Sequence, residues 1–274
     1  PPAAAPAQRA RRPGYYDGKA PIATPPAATV AAWAARPGAV TAGRVTVDPV
    51  VSDVLKPHQR PGVAFLLRRA LRTQDSGTDA PDSSDDEDAE SGRRGGAILA
   101  DGMGLGKTVQ ALAAVHALLQ QGGARKAAVL CPATLTKNWT REIRKLMPKE
   151  MRAEVIDQSE YEYPGAPKRK LRTFAECAAC HVCVVSHDMA TRHAATLLPL
   201  LDVIVVDEAH VYKSAKTAKY KALAARLPPT CARLLLTGTP CQNDLTELRA
   251  VCQLAAPRRR DAAAPWNAAA RDDA

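Results

Sequence analysis

In LADGMGLGKTVQ, residues 99–110, an apolar run ends in a glycine-rich turn closed by Gly106, Lys107 and Thr108, and a helical pattern opens directly behind it. That sequence of events leaves few folds open. Gly102, Gly104 and Gly106 let the backbone turn tightly and aim its N–H groups at an anion, with a helix N-terminus adding its dipole. Lys107 can reach the terminal phosphates of a nucleotide, and the Thr108 hydroxyl suits Mg²⁺. The usual pattern, G-x-x-x-x-G-K-[ST], begins with glycine; here Asp101 stands in that place. The Gly-Lys-Thr ending still points to a loop around phosphate. Gly102, Met103, Gly104, Leu105, Gly106, Lys107 and Thr108 are its nucleotide-binding candidates.

A phosphate loop of this kind needs a strand before it and a helix after it, and the rest of the chain repeats that rhythm. Apolar, β-branched runs at 97–100, 127–131, 153–157, 181–185, 203–207 and 233–237 predict strands. Helical stretches begin near Lys107, Leu135, Pro167, Met189, Ala215 and Leu245. Near-continuous apolar strands alternating with helices of this length predict an α/β fold, a parallel sheet with helices on both faces. Ligands of such sheets bind beyond the carboxyl ends of the strands, so chemistry is sought in the residues just after each one.

The flanks read differently. Residues 1–44 are rich in Pro and Ala and predict a disordered basic arm, with order starting at RVTVDPVV. Residues 73–95 are acidic, Ser- and Gly-rich and have nothing to bury, as expected of an exposed disordered insert. Ser83 and Ser84 precede DDED, the setting an acid-directed kinase would use, although a solvated linker explains the same residues. Residues 256–274 form a low-complexity tail, and Arg258, Arg259 and Arg260 within it read as a solvated charge run. The tail carries no strand or helix pattern. The chain opens on Pro, so its start is either processed or internal to something longer.

The net charge of +10 and pI near 9.4 permit a polyanionic partner without requiring one, because a basic solvated surface has the same composition. No run is long and apolar enough for a membrane span, and the N-terminus lacks the apolar core of a secretory signal, so the sequence predicts no membrane partner. Seven cysteines, an odd number placed mostly in apparent strands, fit reduced buried thiols better than a disulfide framework. Cys177, Cys180, His181 and Cys183 cluster in CAACHVC. No second C-x-x-C closes a tetrahedral site, and the run continues into a strand, so neither zinc nor haem is expected.

Two further strand ends carry candidate chemistry. VIVVD runs into Asp207, Glu208, Ala209 and His210. Two carboxylates there make sense if Asp207 holds Mg²⁺ and Glu208 polarises an attacking water, although alone they would be a cap or salt-bridge partners. RLLLT runs into Gly238, Thr239 and Pro240, a turn whose Asn243 or Asp244 could cap the next helix. Thr237, Thr239 and Gln242 of this segment are candidates for relaying the state of the phosphate.

Taken together, DGMGLGKT, DEAH and LLLTGTPCQNDLTEL resemble, in order and spacing, the motifs of the SWI/SNF-related ATPases of helicase superfamily two, first motor lobe. That family usually has Asp at the first loop position; Gly102, where Glu is more usual, is the departure. VDPVVSDVLKPHQRPGVAFL is similar to the segment preceding the motor in the recombination translocases of the Rad-fifty-four type, and the resemblance covers roughly residues 45–255. It implies a RecA-like P-loop lobe that uses ATP and Mg²⁺, a double-stranded DNA partner, contacts with recombinase or chromatin proteins, and a nuclear location. It implies that Gln59 reads the adenine edge and that His210 couples the acidic pair to Thr237 and Thr239. CPATLTKNW is similar to the first DNA-contacting motif of the family, which makes Pro132, Thr134, Lys137 and Asn138 backbone-contact candidates. Trp139 reads simply as core. VVSHDM is similar to the next such motif, with Ser186 as its candidate. Motors of this family close two lobes around ATP, so a chain holding only the first is expected to bind ATP weakly and hydrolyse it poorly. The rival readings are a non-catalytic nucleotide-binding module and an RNA helicase lobe of the DEAH kind.

Overall fold

The computed structural model describes residues 22, 24–71, 94–147, 152–156, 166–178, 180–239 and 245–256. Ser83, Ser84, Pro240, Gln242, Asn243, Asp244 and the arginines 258–260 lie outside them. Six parallel strands form one sheet: β3 (Gly96–Leu99), β4 (Ala127–Cys131), β5 (Arg152–Ile156), β6 (Cys180–Ser186), β7 (Val203–Val206) and β8 (Ala232–Leu236). Their spatial order is β3-β8-β7-β4-β6-β5. The strands agree with the sequence expectation to within a residue or two.

Period-two alternation explains why the sheet is buried on both sides. Val129, Val182, Val184, Val203, Val205 and Leu234 face one apolar cluster, while Leu130, Cys183, Val185, Ile204, Val206 and Leu235 face the other. The first cluster is closed by α3 (Gln59–Leu71), α4 (Lys107–Gln120) and α5 (Thr136–Leu146). The second is closed by α6 (Ala166–Glu176), α7 (His187–Arg192), α8 (Ala194–Leu197), α9 (Ala218–Arg226) and α10 (Leu245–Ala255). Short elements precede them: α1 (Ala27–Ala34), β1 (Thr41–Ala42), β2 (Val45–Thr46) and α2 (Pro49–Ser52).

The first elements correct the expectation that order begins at residue 45. Within 24–44, α1 forms a helix with no buried residue, and β1 pairs with β2 in an antiparallel hairpin. Val40, Ala42, Val45 and Val47 of this hairpin are at most 3% exposed. Their apolar contribution is spread around a two-residue turn, which hides it from any search for a sustained period. Gln121 fastens the hairpin to the end of α4 by imitating a strand partner: its Oε1 accepts from Thr46 N at 3.1 Å and its Nε2 donates to Thr46 O at 2.6 Å.

The CAACHVC segment is organised around an ammonium group. Lys126 Nζ donates to the carbonyls of Phe174, Cys177 and Cys180 at 2.6, 2.7 and 2.8 Å, capping the end of α6 and the start of β6 together. Cys183 is fully buried between sheet and helices, and burial pushes its thiol well above the ordinary range. Among the described residues no group of three or more His, Cys, Asp or Glu is placed to hold a metal ion. Nor is any described helix long and apolar enough to cross a membrane.

Candidate nucleotide-hydrolysis site

The parallel strands bring three segments to one edge of the sheet, because β3, β8 and β7 are neighbours and all end there. After β3 the chain turns through residues 101–106 before α4 opens at Lys107. Gly104 and Gly106 take φ of 79° and 82°, backbone that side chains with a Cβ resist. Lys107 Nζ donates to the carbonyls of Asp101 at 2.7 Å and Gly102 at 2.9 Å, so the loop is wrapped around its own ammonium group. Met103 at the tip is 87% exposed and Leu105 is 43% exposed.

Asp101 has a local reason for replacing glycine. Its Oδ2 accepts from Gln110 Nε2 at 2.8 Å, which ties the first residue of the loop to the first turns of the helix that follows. Gln110 is fully buried against Gly62 of α3, where a Cβ would stand 1.9 Å from Gln110 Oε1. Gly62→Ala is therefore expected to push Gln110 off Asp101 and to cost about 1–3 kcal/mol of stability. Urea unfolding checks this; an unchanged midpoint would show that the loop does not depend on the anchor.

Gln59 sits at the start of α3, buried, with both ends of its amide engaged. Oε1 accepts from Lys56 N at 2.9 Å, and Nε2 donates to Leu105 O at 3.1 Å in the loop. A Cβ on Gly106 would lie 2.2 Å from that nitrogen, so the glycine also makes room for the amide. Gln59→Ala is expected to weaken nucleotide binding about tenfold by leaving the Leu105 carbonyl and Lys56 N–H unpaired. A fluorescent ATP analogue titrated in both proteins measures it.

Asp207 extends the sheet by one residue, its N–H donating to Leu130 O at 2.8 Å. Its carboxylate is held at both oxygens: Oδ1 accepts from Glu208 N at 3.0 Å and Oδ2 from the indole Nε1 of Trp139 at 2.8 Å. Burial pushes the Asp207 carboxyl above its usual range, and the two donors work against that rise. Glu208 adopts φ 50° and ψ 51°, and is the one non-glycine residue with positive φ among the described residues. That conformation costs about 1–2 kcal/mol, a strain typical of sites where a side chain must be aimed. It leaves Glu208 Oε2 3.2 Å from His210 Nδ1.

The third segment closes on the first. Thr237 is buried, its N–H donates to Leu99 O at 3.1 Å, and its Oγ1 accepts from Thr239 N at 3.1 Å. A Cβ on Gly238 would lie 3.3 Å from Met103 and 3.8 Å from Lys107 Nζ, so this turn packs directly on the phosphate loop. The expected partnership of His210 with Thr237 and Thr239 has a different described contact, with Glu208. The set fits ATP with Mg²⁺: hard oxygen donors on Thr108 and Asp207, glycines in left-handed backbone at a helix N-terminus, and a lysine inside the loop.

A model of the SNF2-related domain matches residues 58–273. The chain belongs to the SNF2-related family. Among relatives of this SNF2-related chain, the DNA repair and recombination protein RAD54B of Gallus gallus is 32% identical over 78% of the chain and 21% of its own length. The RAD54-like DNA repair and recombination protein of Mus musculus is 32% identical over 74% of the chain and 26% of its own length. The chain thus spans about a quarter of the length of these relatives. The Sulfolobus solfataricus SWI2/SNF2 ATPase core in complex with dsDNA superposes with a TM-score of 0.54 at 25% identity, covering 74% of this chain and 36% of that one. The RecA-like lobe read from the motifs is the fold observed.

The residues implied for DNA contact divide in this SNF2-related lobe. Pro132 and Thr134 follow β4, and Lys137 and Asn138 lie on the first turn of α5, partly or fully exposed beyond the strand ends. Ser186 differs: it is buried, and its Oγ caps α7 by accepting from Met189 N at 3.3 Å. It is the one buried member of the five candidates. Sequence reading missed Gln110, Gly62, the strained backbone of Glu208 and the bond from Trp139 to Asp207.

Proposed function

We propose that this chain is the nucleotide-binding lobe of an ATP- and Mg²⁺-dependent translocase on double-stranded DNA that serves recombinational repair or chromatin remodelling in the nucleus. The observation that carries the reading is the convergence of Lys107, the Asp207–Glu208 pair and the Thr237 turn on one sheet edge, in a lobe related to recombination proteins. Lys107 binds the β- and γ-phosphates, and the Thr108 hydroxyl and Asp207 carboxylate hold Mg²⁺. Mg²⁺, when bound, neutralises charge developing on the phosphoryl oxygens. Glu208, aimed by its strained backbone and lying beside His210, takes the proton of the attacking water. Gln59 presents its remaining amide hydrogen to the adenine edge, and the Thr237 turn reports phosphate occupancy through its packing on the loop. Pro132, Thr134, Lys137 and Asn138 meet the DNA backbone beside the same edge. Recombinase or chromatin proteins are the partners the relatives' names point to.

The test is ATP turnover by the longest available form of the protein, with duplex DNA, single-stranded RNA or no nucleic acid. Stimulation by duplex alone is the expected result. Stimulation by RNA alone assigns the lobe to an RNA helicase, and ATP binding without turnover under any condition assigns it to a non-catalytic module.

A further inference from the structure

Trp139 reads as an ordinary core residue, yet its position joins the two halves of the mechanism. The side chain is 1% exposed, lies one turn into α5, and spends its single polar group on Asp207 Oδ2 at 2.8 Å across 68 residues of sequence. Trp139 directly follows Lys137 and Asn138, and α5 is entered from Pro132 and Thr134, so the helix that carries the indole starts at the proposed DNA-facing loop. Asp207 is meanwhile tied to β4, the strand that leads into that same loop, by its N–H to Leu130 O. The acid is therefore gripped at its main chain by the strand before the loop and at its side chain by the helix after it. A displacement of the loop when a phosphate backbone docks reaches the Asp207 carboxylate through the Trp139–Asp207 bond, because the β4 contact holds only the main chain. A rigid two-ring side chain packed on the first core cluster has little slack to absorb it.

We infer that Trp139 is a positioning residue that couples occupancy of the DNA-facing loop to the metal-holding geometry of Asp207. The inference rests on the functional reading above. The Glu208 N–H fixes Oδ1, and the indole fixes Oδ2, so rotation of the carboxylate is set from α5. An interaction of this kind links the two ligands reciprocally: duplex favours Mg²⁺·ATP, and Mg²⁺·ATP favours duplex by the same factor.

The experiment measures the Mg²⁺ concentration for half-maximal binding of a fluorescent ATP analogue, with and without a short DNA duplex. It compares wild type, Trp139→Phe, and Trp139 replaced by benzothienylalanine, which keeps the double ring and removes only the N–H. Thermal melting confirms that each variant is folded, and the benzothienyl side chain covers the case in which phenylalanine leaves a damaging cavity. In wild type, duplex is expected to lower the Mg²⁺ midpoint about fivefold or more. Both variants are expected to raise the midpoint about tenfold without duplex, as loss of a bond to a charged acceptor predicts, and to lose the duplex effect while still binding duplex. As a second readout, Trp139 emission in a Trp33→Phe, Trp266→Phe background is expected to change on adding Mg²⁺·ATP. A duplex effect retained within twofold in both variants, no duplex effect in wild type, or unchanged emission overturns the coupling and leaves the functional reading standing. Wild type that binds neither ligand overturns that reading and the coupling with it.

Discussion

Glu208→Gln is expected to keep Mg²⁺·ATP bound and to cut duplex-stimulated hydrolysis by about two to four powers of ten, the usual worth of a positioned general base. Lys107→Ala is expected to fail one step earlier, with binding of ATP reduced about a hundredfold or more. The reasons differ in kind. Gln keeps the shape of Glu208 and its left-handed backbone, so the strained turn survives while the group that accepts a proton is gone. Ala at 107 removes the ammonium that neutralises phosphate and also leaves the carbonyls of Asp101 and Gly102 without the donor they share, so the loop itself loosens. Equilibrium binding of a fluorescent ATP analogue, followed by single-turnover hydrolysis, separates the two. ATP binding unchanged in Lys107→Ala would sink the assignment of the phosphate loop. Hydrolysis unchanged in Glu208→Gln would remove Glu208 from the chemistry and leave its strain without a purpose.

The fold was legible because its strands are buried on both faces. Val203, Ile204, Val205 and Val206 are all apolar, and a chain has few reasons for such runs at regular intervals other than a covered parallel sheet. Strand ends blurred by one residue for a physical reason. Asp207 and Thr237 each continue a ladder with the main chain while their side chains already serve the site, so sequence places them in the strand and the fold places them on both sides of its end. The candidate site residues were legible as types at strand ends, since carboxylates and a lysine are conspicuous beside apolar runs. What holds them was not. No local pattern shows that the amide of Gln110 meets Asp101, or that the indole of Trp139 meets a carboxylate 68 positions later, because both bonds exist only once helices pack on the sheet. Asp101 is the clearest case: resemblance marked it as usual for the family, and the bond to Gln110 supplies the cause. The first strand of the hairpin, before residue 45, was missed for the opposite reason, Val40 and Ala42 being too short a signal among Ala, Gly and Pro.

The lobe is expected to lose stability steeply as pH falls from about 6.5 toward 4, because three buried imidazoles are kept neutral by the fold. Burial lowers His116, His181 and His187 each from the ordinary 6.5 to about 4. Their surroundings explain why a proton is unwelcome. His116 lies inside α4 with its Nδ1 unpartnered, His187 is buried with the Tyr212 hydroxyl 3.1 Å from its Nδ1 and the Lys219 ammonium nearby, and His181 uses Nε2 to accept from Ile22 N at 3.3 Å. In the unfolded chain these rings take up protons near pH 6.5, so between that value and about 4 the unfolded state binds more protons than the native one, and stability rises with pH. The contribution is complete above about 6.5 and disappears as pH falls through the folded values. One such group gives a slope of about 1.4 kcal/mol per pH unit in the middle of the window, and three acting together give about 4 kcal/mol per unit. Asp207 works in the opposite direction, since its raised carboxyl holds a proton more readily folded than unfolded, but it is one group against three. Urea midpoints at pH 7.5, 6.5, 5.5 and 5.0 are expected to be level across the first pair and to fall sharply across the rest. His116→Leu, which puts an apolar side chain where an unpartnered nitrogen now sits, is expected to remove about a third of that slope. A midpoint that stays level to pH 5.0 would mean that the imidazoles are protonated in the native lobe, and that the helices over both faces of the sheet admit more water than their packing implies.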